Sequence, residues 1–267
     1  MELQLWRKTL EPYSLAVDEL IVKFNHIKNE FDYDGEYSPI ESVNGRVKRI
    51  SSILEKAQRK HIELEDVESK LDDIAGVRII CRFVEDIDKV VEILRKRSDM
   101  KIVEEKDYIT KSKKSGYRSY HLIIEYAVQS LQGPKLLKAE IQVRTLAMNF
   151  WATVEHSLQY KYKGNMPEHV KEKLLTSAEA IVTLDDEMSV VRKEIMAAQN
   201  YYQHKTQVVS NILANIENLY KVANKREVLK IQDEFLAIYR EDDLNKMEHF
   251  GQELDIVSES YRAQQIN

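Results

Sequence analysis

The sequence predicts an α/β (α+β) fold, with strands mixed among helices in the body of the chain and a long helical C-terminal extension. Two observations predict it. Apolar residues leave helical spacing at Val77–Phe83 for a compact β-branched run, then return to it. Past Pro167 there is no further proline, and Gly251 is the only later glycine, so nothing there breaks a helix strongly.

The elements follow in order. Leu10, Tyr13, Val17, Leu20, Ile21 and Phe24 recur at helical spacing, so residues 1–30 read as a helix. FDYDGEYSPIES, residues 31–42, reads as a loop broken by Gly35 and Pro39. A second helix is expected from Val47 to Arg59, with Ile50, Ile53, Leu54 and Ala57 on its apolar side, and a short third over Glu65–Lys70. Strands are expected at Val77–Phe83, Met100–Tyr108, Tyr120–Val128 and Ala139–Arg144. Helices are expected at Glu85–Arg97 and Thr145–Lys161. A long helix then carries Val170, Leu174, Ala178, Ile181, Leu184, Met188, Val191 and Ile195. Two or three further helical segments follow Tyr201, with breaks near Asn224 and Asp242, and a domain boundary is expected near residue 200.

Composition narrows the function classes. A net charge of −5 argues against a general duplex-DNA binder, which needs a basic footprint, but leaves room for a local basic pocket. No apolar run reaches about 18 residues and the N-terminus lacks a signal-peptide pattern, so a cytoplasmic protein without a membrane partner is expected. Cys81 is the single cysteine, so neither an internal disulfide nor a cysteine zinc site is expected. The histidines lack HExxH spacing, and a catalytic zinc is not expected.

Five stretches carry chemistry. Lys113-Lys114-Ser115-Gly116-Tyr117-Arg118-Ser119-Tyr120-His121 joins a glycine turn to cations and flat rings, which suits a nucleotide. Lys48, Ser52, Lys56 and Arg59 would stack on one helix face, which suits a polyphosphate and equally a solvated surface. Asp72-Asp73 before Ala75-Gly76 places carboxylates at a corner entering a strand, where one can reach Mg²⁺ or serve only as a turn acid. Strand alternation puts Glu140, Gln142 and Arg144 on one face and Ile141 and Val143 on the other, which a charged edge strand would also show. On the following helix Asn149, Thr153 and His156 share a side, and Asn149 can read a base edge.

GRVK, LEKAQRK, DDIAGVRIICRF, SGYRSYH, EIQVRT and MNFWATVEHSLQYKYKG occur in this order and closely resemble the synthetase domain of RelA/SpoT homologues, most closely the small RelQ-like alarmone synthetases. The resemblance covers about residues 1–200, leaving 201–267 as a helical extension, and includes no hydrolase domain, so synthesis without hydrolysis is expected. It implies a mixed sheet flanked by helices, related to nucleotidyltransferases. It implies transfer of the β,γ-pyrophosphate of ATP to the ribose 3′-hydroxyl of GDP or GTP, with Mg²⁺.

Carried over by motif, Arg46 and Arg78 would sandwich adenine, while Lys48, Ser52, Lys56 and Arg59 would hold the ATP phosphates. Asp73 and Glu140 would bind the metal, with Glu140 helping to deprotonate the 3′-hydroxyl. Tyr117 would stack on guanine, Gly116 would let the backbone approach the ligand, and Asn149 would read the guanine edge. His121 would sit near the acceptor phosphates or the transferred group, with Lys114, Gln142, Arg144 and Glu155 completing the acceptor side. The family also implies a homotetramer, with product activation in a cleft involving Lys23, Asn25, Glu41, Ser42 and Asn44, or regulation by single-stranded RNA. Two rivals stay open: the same fold with ATP, GMP or a tRNA end as acceptor, and a sensor that binds a nucleotide without turnover.

Overall fold

The computed structural model describes residues 3–131, 133–162 and 166–265. The chain divides into two compact units, Met1–Val190 and Val191–Asn267.

In the first unit, α1 (Leu3–Tyr33) buries Tyr13, Ala16, Val17, Leu20 and Phe24 along one stripe. Pro12 lies inside this helix and removes one backbone donor. Burial of Leu20 and Phe24, at about 1.5–3 kcal/mol each, offsets that loss. Next come β1 (Ser42–Val47), α2 (Ile50–Lys60), a 3₁₀ turn (Leu64–Asp66) running into α3 (Val67–Lys70), and β2 (Ala75–Cys81). Then follow α4 (Val84–Arg95), β3 (Lys101–Asp107), β4 (Tyr120–Ser130), β5 (Gly133–Thr145) and α5 (Leu146–Tyr162). The sheet order is β1-β2-β5-β4-β3. β2 and β5 run parallel and the other neighbours antiparallel, so the sheet is mixed.

The two sheet faces differ in kind. Val77, Ile79, Leu122, Ile124, Ile141 and Val143 point to one side and form the core with α1 and with Ile87, Val90, Val91 and Leu94 of α4. The registers Arg46↔Gly76, Gly76↔Glu140, Arg78↔Gln142 and His121↔Gln142 bring Arg46, Arg78, Glu140, Gln142, Arg144 and His121 to the other. A strand period of two thus separates core from chemistry.

Two expectations at the N-terminal end need correction. The helix continues to Tyr33, so the expected loop is shortened to residues 34–41, and strand β1 follows it where no element was expected. Asn44-Gly45 is poor strand-forming sequence. Pairing with β2 makes it a strand, and Gly45 is required because a Cβ there would stand 2.7 Å from Val17 Cγ1. The second helix starts at Ile50, because Val47 still belongs to β1 and the Lys48 N–H bonds the Ile74 carbonyl at 2.8 Å. Lys48 is therefore not on the helix, and only Ser52, Lys56 and Arg59 share its face.

The other expected strands and helices are present, with β5 beginning earlier at Gly133. The end of the MNFWATVEHSLQYKYKG motif, Lys163 and Gly164, lies outside the described residues.

Thr145 ends the sheet and starts α5: its Oγ1 accepts from Met148 N at 3.0 Å and donates to Asp185 Oδ2 at 2.9 Å. Asp185 lies on α6 (Glu168–Val222) and is 4% exposed. Burial pushes its carboxyl up to about 6, against the pull of Thr145 and Arg118. A raised carboxyl contributes stability in full below its ordinary value of 3.8 and loses it as pH rises through about 6. Asp185→Asn, which keeps an acceptor for Thr145, is expected to stabilise at pH 8 by up to about 2 kcal/mol after screening, and little at pH 4. Thermal melts at both pH values check this; an equal shift at both would contradict it.

In the second unit the end of α6 joins α7 (Lys225–Glu241) and α8 (Leu244–Gln265) around Ile212, Ile216, Leu219, Val228, Phe235, Met247, Phe250 and Leu254. The expected break near Tyr201 is absent, since α6 runs through it without proline or glycine. The breaks at Asn224 and Asp242 are present. Asn224 caps α7 by accepting from Arg226 N, and Asp242 adopts the left-handed conformation at φ 59°.

Candidate active site

The polar sheet face opens into a cleft of about 420 Å³, a volume suited to one small ligand. Arg46, Lys48, Asp73, Gly76, Arg78, Tyr117, Glu140, Gln142, Arg144 and Glu155 are among its lining residues. A second cleft of about 1190 Å³ is lined by Arg59, Lys114, Ser115, Lys171 and others. The two share Glu155 and His156 and so adjoin.

Asp73 sits where β2 begins. Lys48 Nζ reaches its Oδ2 at 2.6 Å, and Lys56 Nζ reaches the same oxygen at 2.5 Å. The lysines come from either side of the β1–α2 corner, so the connection rather than one helix face brings the cations together. Burial works to raise the Asp73 carboxyl, but the two lysines outweigh it and hold the group below its ordinary value. Asp73 Oδ1 is buried with no hydrogen-bond partner.

Glu140 faces the same cleft from β5. His121 Nδ1 stands 2.9 Å from its Oε1, and Gln142 Nε2 donates to its Oε2 at 2.6 Å. Burial raises this carboxyl too, yet His121 and Gln142 bring it below its ordinary value, while the charge of Asp73 opposes them.

Arg78 Nε and Arg144 Nε are also buried without partners. Each such atom costs about 1–3 kcal/mol. Burial lowers the pKa of Arg78, with Arg46 adding to the effect, and lowers that of Arg144 to about 10. The orphaned Arg78 donor and the orphaned Asp73 oxygen belong to residues lining one cleft, which describes a site preorganised for a polar, charged ligand.

Tyr117 is held by its hydroxyl, 2.8 Å from Arg144 Nη2 and 2.9 Å from His121 Nε2. Burial raises its pKa. Lys113 Nζ lies 4.8 Å from the Tyr117 ring centroid and 4.4 Å from that of Tyr108, whose ring meets His121 edge-on at 5.2 Å. Burial lowers the pKa of Lys113. Gly116 has φ +84°, and a Cβ there would fall 2.4 Å from Ala178 Cβ. This corrects the expectation for the glycine: the backbone approaches α6 closely, not a ligand.

Most of the residues expected at the site meet here. Arg46, Lys48, Asp73, Arg78, Tyr117, Glu140, Gln142, Arg144 and Glu155 line the first cleft. Arg59, Lys114 and Glu155 line the second. Lys56 joins through Asp73, and His121, 6% exposed, bridges Tyr117 and Glu140 from behind. Ser52 and Asn149 line neither cleft, although Asn149 Oδ1 is buried and unpaired. Burial raises the pKa of Glu155. Tyr108 and Lys171 were missed, while Lys113 belongs to the cationic stretch read from the sequence. Nothing local in the sequence marked Tyr108 or Lys171.

The residues fit a hard divalent cation. Among the described residues no cluster of three or more His, Cys, Asp or Glu side chains forms an all-protein metal site. Mg²⁺ does not need one, since it uses one or two carboxylates plus phosphate oxygens and water. Asp73 has a free buried oxygen, Glu140 feels its charge, and Gly76 pairs with Glu140 in register. A Cβ on Gly76 would meet only the Arg46 carbonyl oxygen, at 3.8 Å, so this stretch of wall leaves room.

Residues 45–165 match the model of the region found in RelA / SpoT proteins. The chain is 51% identical over 205 residues to the GTP pyrophosphokinase YjbM of Bacillus subtilis, covering 77% of this chain and 97% of that protein. It resembles the crystal structure of small alarmone synthetase 1 from B. subtilis bound to its product pppGpp, with TM-score 0.70 and 53% identity over 72% of this chain and 98% of that one. The same B. subtilis synthetase bound to AMPCPP matches with TM-score 0.65 and 48% identity, over 73% and 99% of the two chains.

Proposed function

This chain belongs to the RelA/SpoT family, and from that premise we propose that it transfers the β,γ-pyrophosphate of ATP to the 3′-hydroxyl of GDP or GTP, releasing AMP. One observation carries the reading: Asp73 is clamped by Lys48 and Lys56 in the wall of a cleft that Glu140 also faces. A triphosphate competes with Asp73 for these lysines and leaves the carboxylate oxygens free for Mg²⁺.

In the proposed mechanism Arg46 and Arg78, on neighbouring strands, hold adenine between guanidinium planes. Lys48 and Lys56 bind the phosphates, with Arg59 and Ser52 further along α2. Asp73 and Glu140 would hold Mg²⁺, which when bound supplies charge neutralisation at the phosphates. Glu140 also takes the proton of the acceptor 3′-hydroxyl. The remainder of catalysis is positioning and charge stabilisation, as in other phosphoryl transfers.

The acceptor spans the junction of the two clefts, with Lys114 of the second on its phosphates and Tyr117 of the first under the base. Asn149 keeps its role at the guanine edge on the resemblance alone, since its buried, unpartnered Oδ1 lines neither cleft. Tyr117→Ala is expected to raise the acceptor KM about tenfold or more, since stacking is worth about 1–3 kcal/mol per base. Steady-state kinetics with GDP and GTP checks this, and an unchanged KM would contradict the platform role.

The reading extends, on the resemblance, to a cytoplasmic homotetramer. Among the described residues no helix is long and apolar enough to cross a membrane. Lys23 is paired with Asp99, so this cation of the region implied for product activation is already engaged.

The direct test incubates the protein with ATP, Mg²⁺ and GDP or GTP and separates the nucleotides by anion exchange. AMP with a later-eluting guanosine nucleotide is expected. ADP or free pyrophosphate would contradict the assignment.

A further inference from the structure

Arg144 is 2% exposed, among the largest fully buried side chains of the protein. It stands at the head of two hydrogen-bonded arms. Its Nη2 donates to Tyr117 Oη at 2.8 Å and to Gln142 Oε1. From Tyr117 the first arm continues through His121 Nε2 at 2.9 Å, then from His121 Nδ1 to Glu140 Oε1 at 2.9 Å. The second arm runs from Gln142 Nε2 to Glu140 Oε2 at 2.6 Å. Five side chains close a ring, and both oxygens of Glu140 are held by it.

Chemistry fixes the direction of each bond. A guanidinium has no acceptor, so Tyr117 Oη and Gln142 Oε1 accept from Arg144. The ionised Glu140 has no donor, so His121 Nδ1 and Gln142 Nε2 give to it. In a neutral imidazole Nε2 is then an acceptor, which Tyr117 O–H satisfies. With His121 as the neutral Nδ1–H tautomer, every dipole points from the buried cation toward Glu140.

We infer that Arg144 is a positioning residue for Glu140, acting only through Tyr117, His121 and Gln142, and not a direct ligand of the acceptor. The inference rests on the function proposed above, in which Glu140 is the reacting carboxylate. It gives the Tyr117 hydroxyl a job separate from that of its ring. The ring carries the base, and the hydroxyl sets the His121 tautomer that orients Glu140. Supporting groups of this kind around a metal-binding carboxylate are worth about 10–100-fold in activity.

The test uses Arg144→Lys, Tyr117→Phe and Gln142→Leu in the full chain. It measures kcat and KM for both nucleotides, and GDP affinity by calorimetry without ATP. Each variant is expected to lower kcat by about 10–100-fold. KM and GDP affinity should stay within about twofold, because binding contacts are untouched. Arg144→Lys combined with Tyr117→Phe should lose less than the product of the two single losses, since both cut the same arm. If Arg144→Lys fails to fold, the two single-arm variants carry the test by the same split.

Weakened GDP binding at unchanged kcat would overturn the inference and make Arg144 an acceptor ligand. Unchanged kcat and KM in all three variants would overturn it and leave Arg144 purely structural. If the wild-type protein transfers no pyrophosphate at all, the parent reading falls and takes this one with it. Absence of the expected kcat loss, or a loss of GDP binding in its place, beside an active wild type overturns this inference alone.

Discussion

Glu140→Gln is expected to lower kcat by about 10²–10⁴-fold while both nucleotides still bind, the range for loss of a positioned acid–base group. The substitution is nearly isosteric. It keeps one oxygen for the arms that converge from His121 and Gln142, so the ring of side chains retains most of its shape. What it removes is an anionic carboxylate that burial alone would push toward the neutral form and that His121 and Gln142 keep ionised. An amide neither takes the proton of the acceptor hydroxyl nor offers a second charged oxygen to a divalent cation. ATP binding rests on Arg46, Arg78, Lys48 and Lys56, which this change leaves in place. Single-turnover rates together with calorimetric titration of ATP and GDP separate the two effects. A nucleotide sensor would show little change in either quantity.

Asp73→Asn is expected to cost at least about 100-fold in kcat, because the metal's charge stabilisation is worth several kcal/mol. Its second signature is more specific. Asp73 neutralises Lys48 and Lys56 before a nucleotide arrives, and the asparagine does not. ATP should therefore bind the variant at least as well as the wild type in the absence of Mg²⁺, and addition of Mg²⁺ should change its affinity little. Titrating ATP with and without Mg²⁺ checks this. Loss of metal-free ATP binding in the variant would place Asp73 in a role other than the one derived from its lysine clamp.

The parts of the molecule legible in the sequence were those with a local signal. Ile141 and Val143 alternate with Glu140, Gln142 and Arg144, and the sheet indeed sends the two sets to opposite faces. Asn224 and Asp242 announced helix boundaries because their side chains and left-handed tolerance favour helix ends. The parts that escaped depend on partners distant in sequence. Strand β1 contains Asn44 and Gly45 and exists because β2 pairs with it. Lys48 reaches Asp73 from a corner that only the β1–α2 connection creates.

The site shows the same division. Its residue types were readable, but their wiring was not. The contact of His121 with Glu140 follows from the β4–β5 register, in which His121 faces Gln142, and no spacing in the chain reveals that register. The place of Gly116 was misjudged for the same reason, since its neighbour Ala178 lies 62 positions away on α6. Helix α6 runs on past Tyr201 to Val222 because no proline in that stretch removes a backbone donor.

The central claim is transfer of an intact pyrophosphate, and ATP labelled at the β-phosphorus tests it most directly. After reaction with Mg²⁺ and GDP or GTP, the label should leave the adenine nucleotide entirely and appear on the guanosine product, with unlabelled AMP as the partner. Label retained on ADP, or released as free pyrophosphate, would contradict the account.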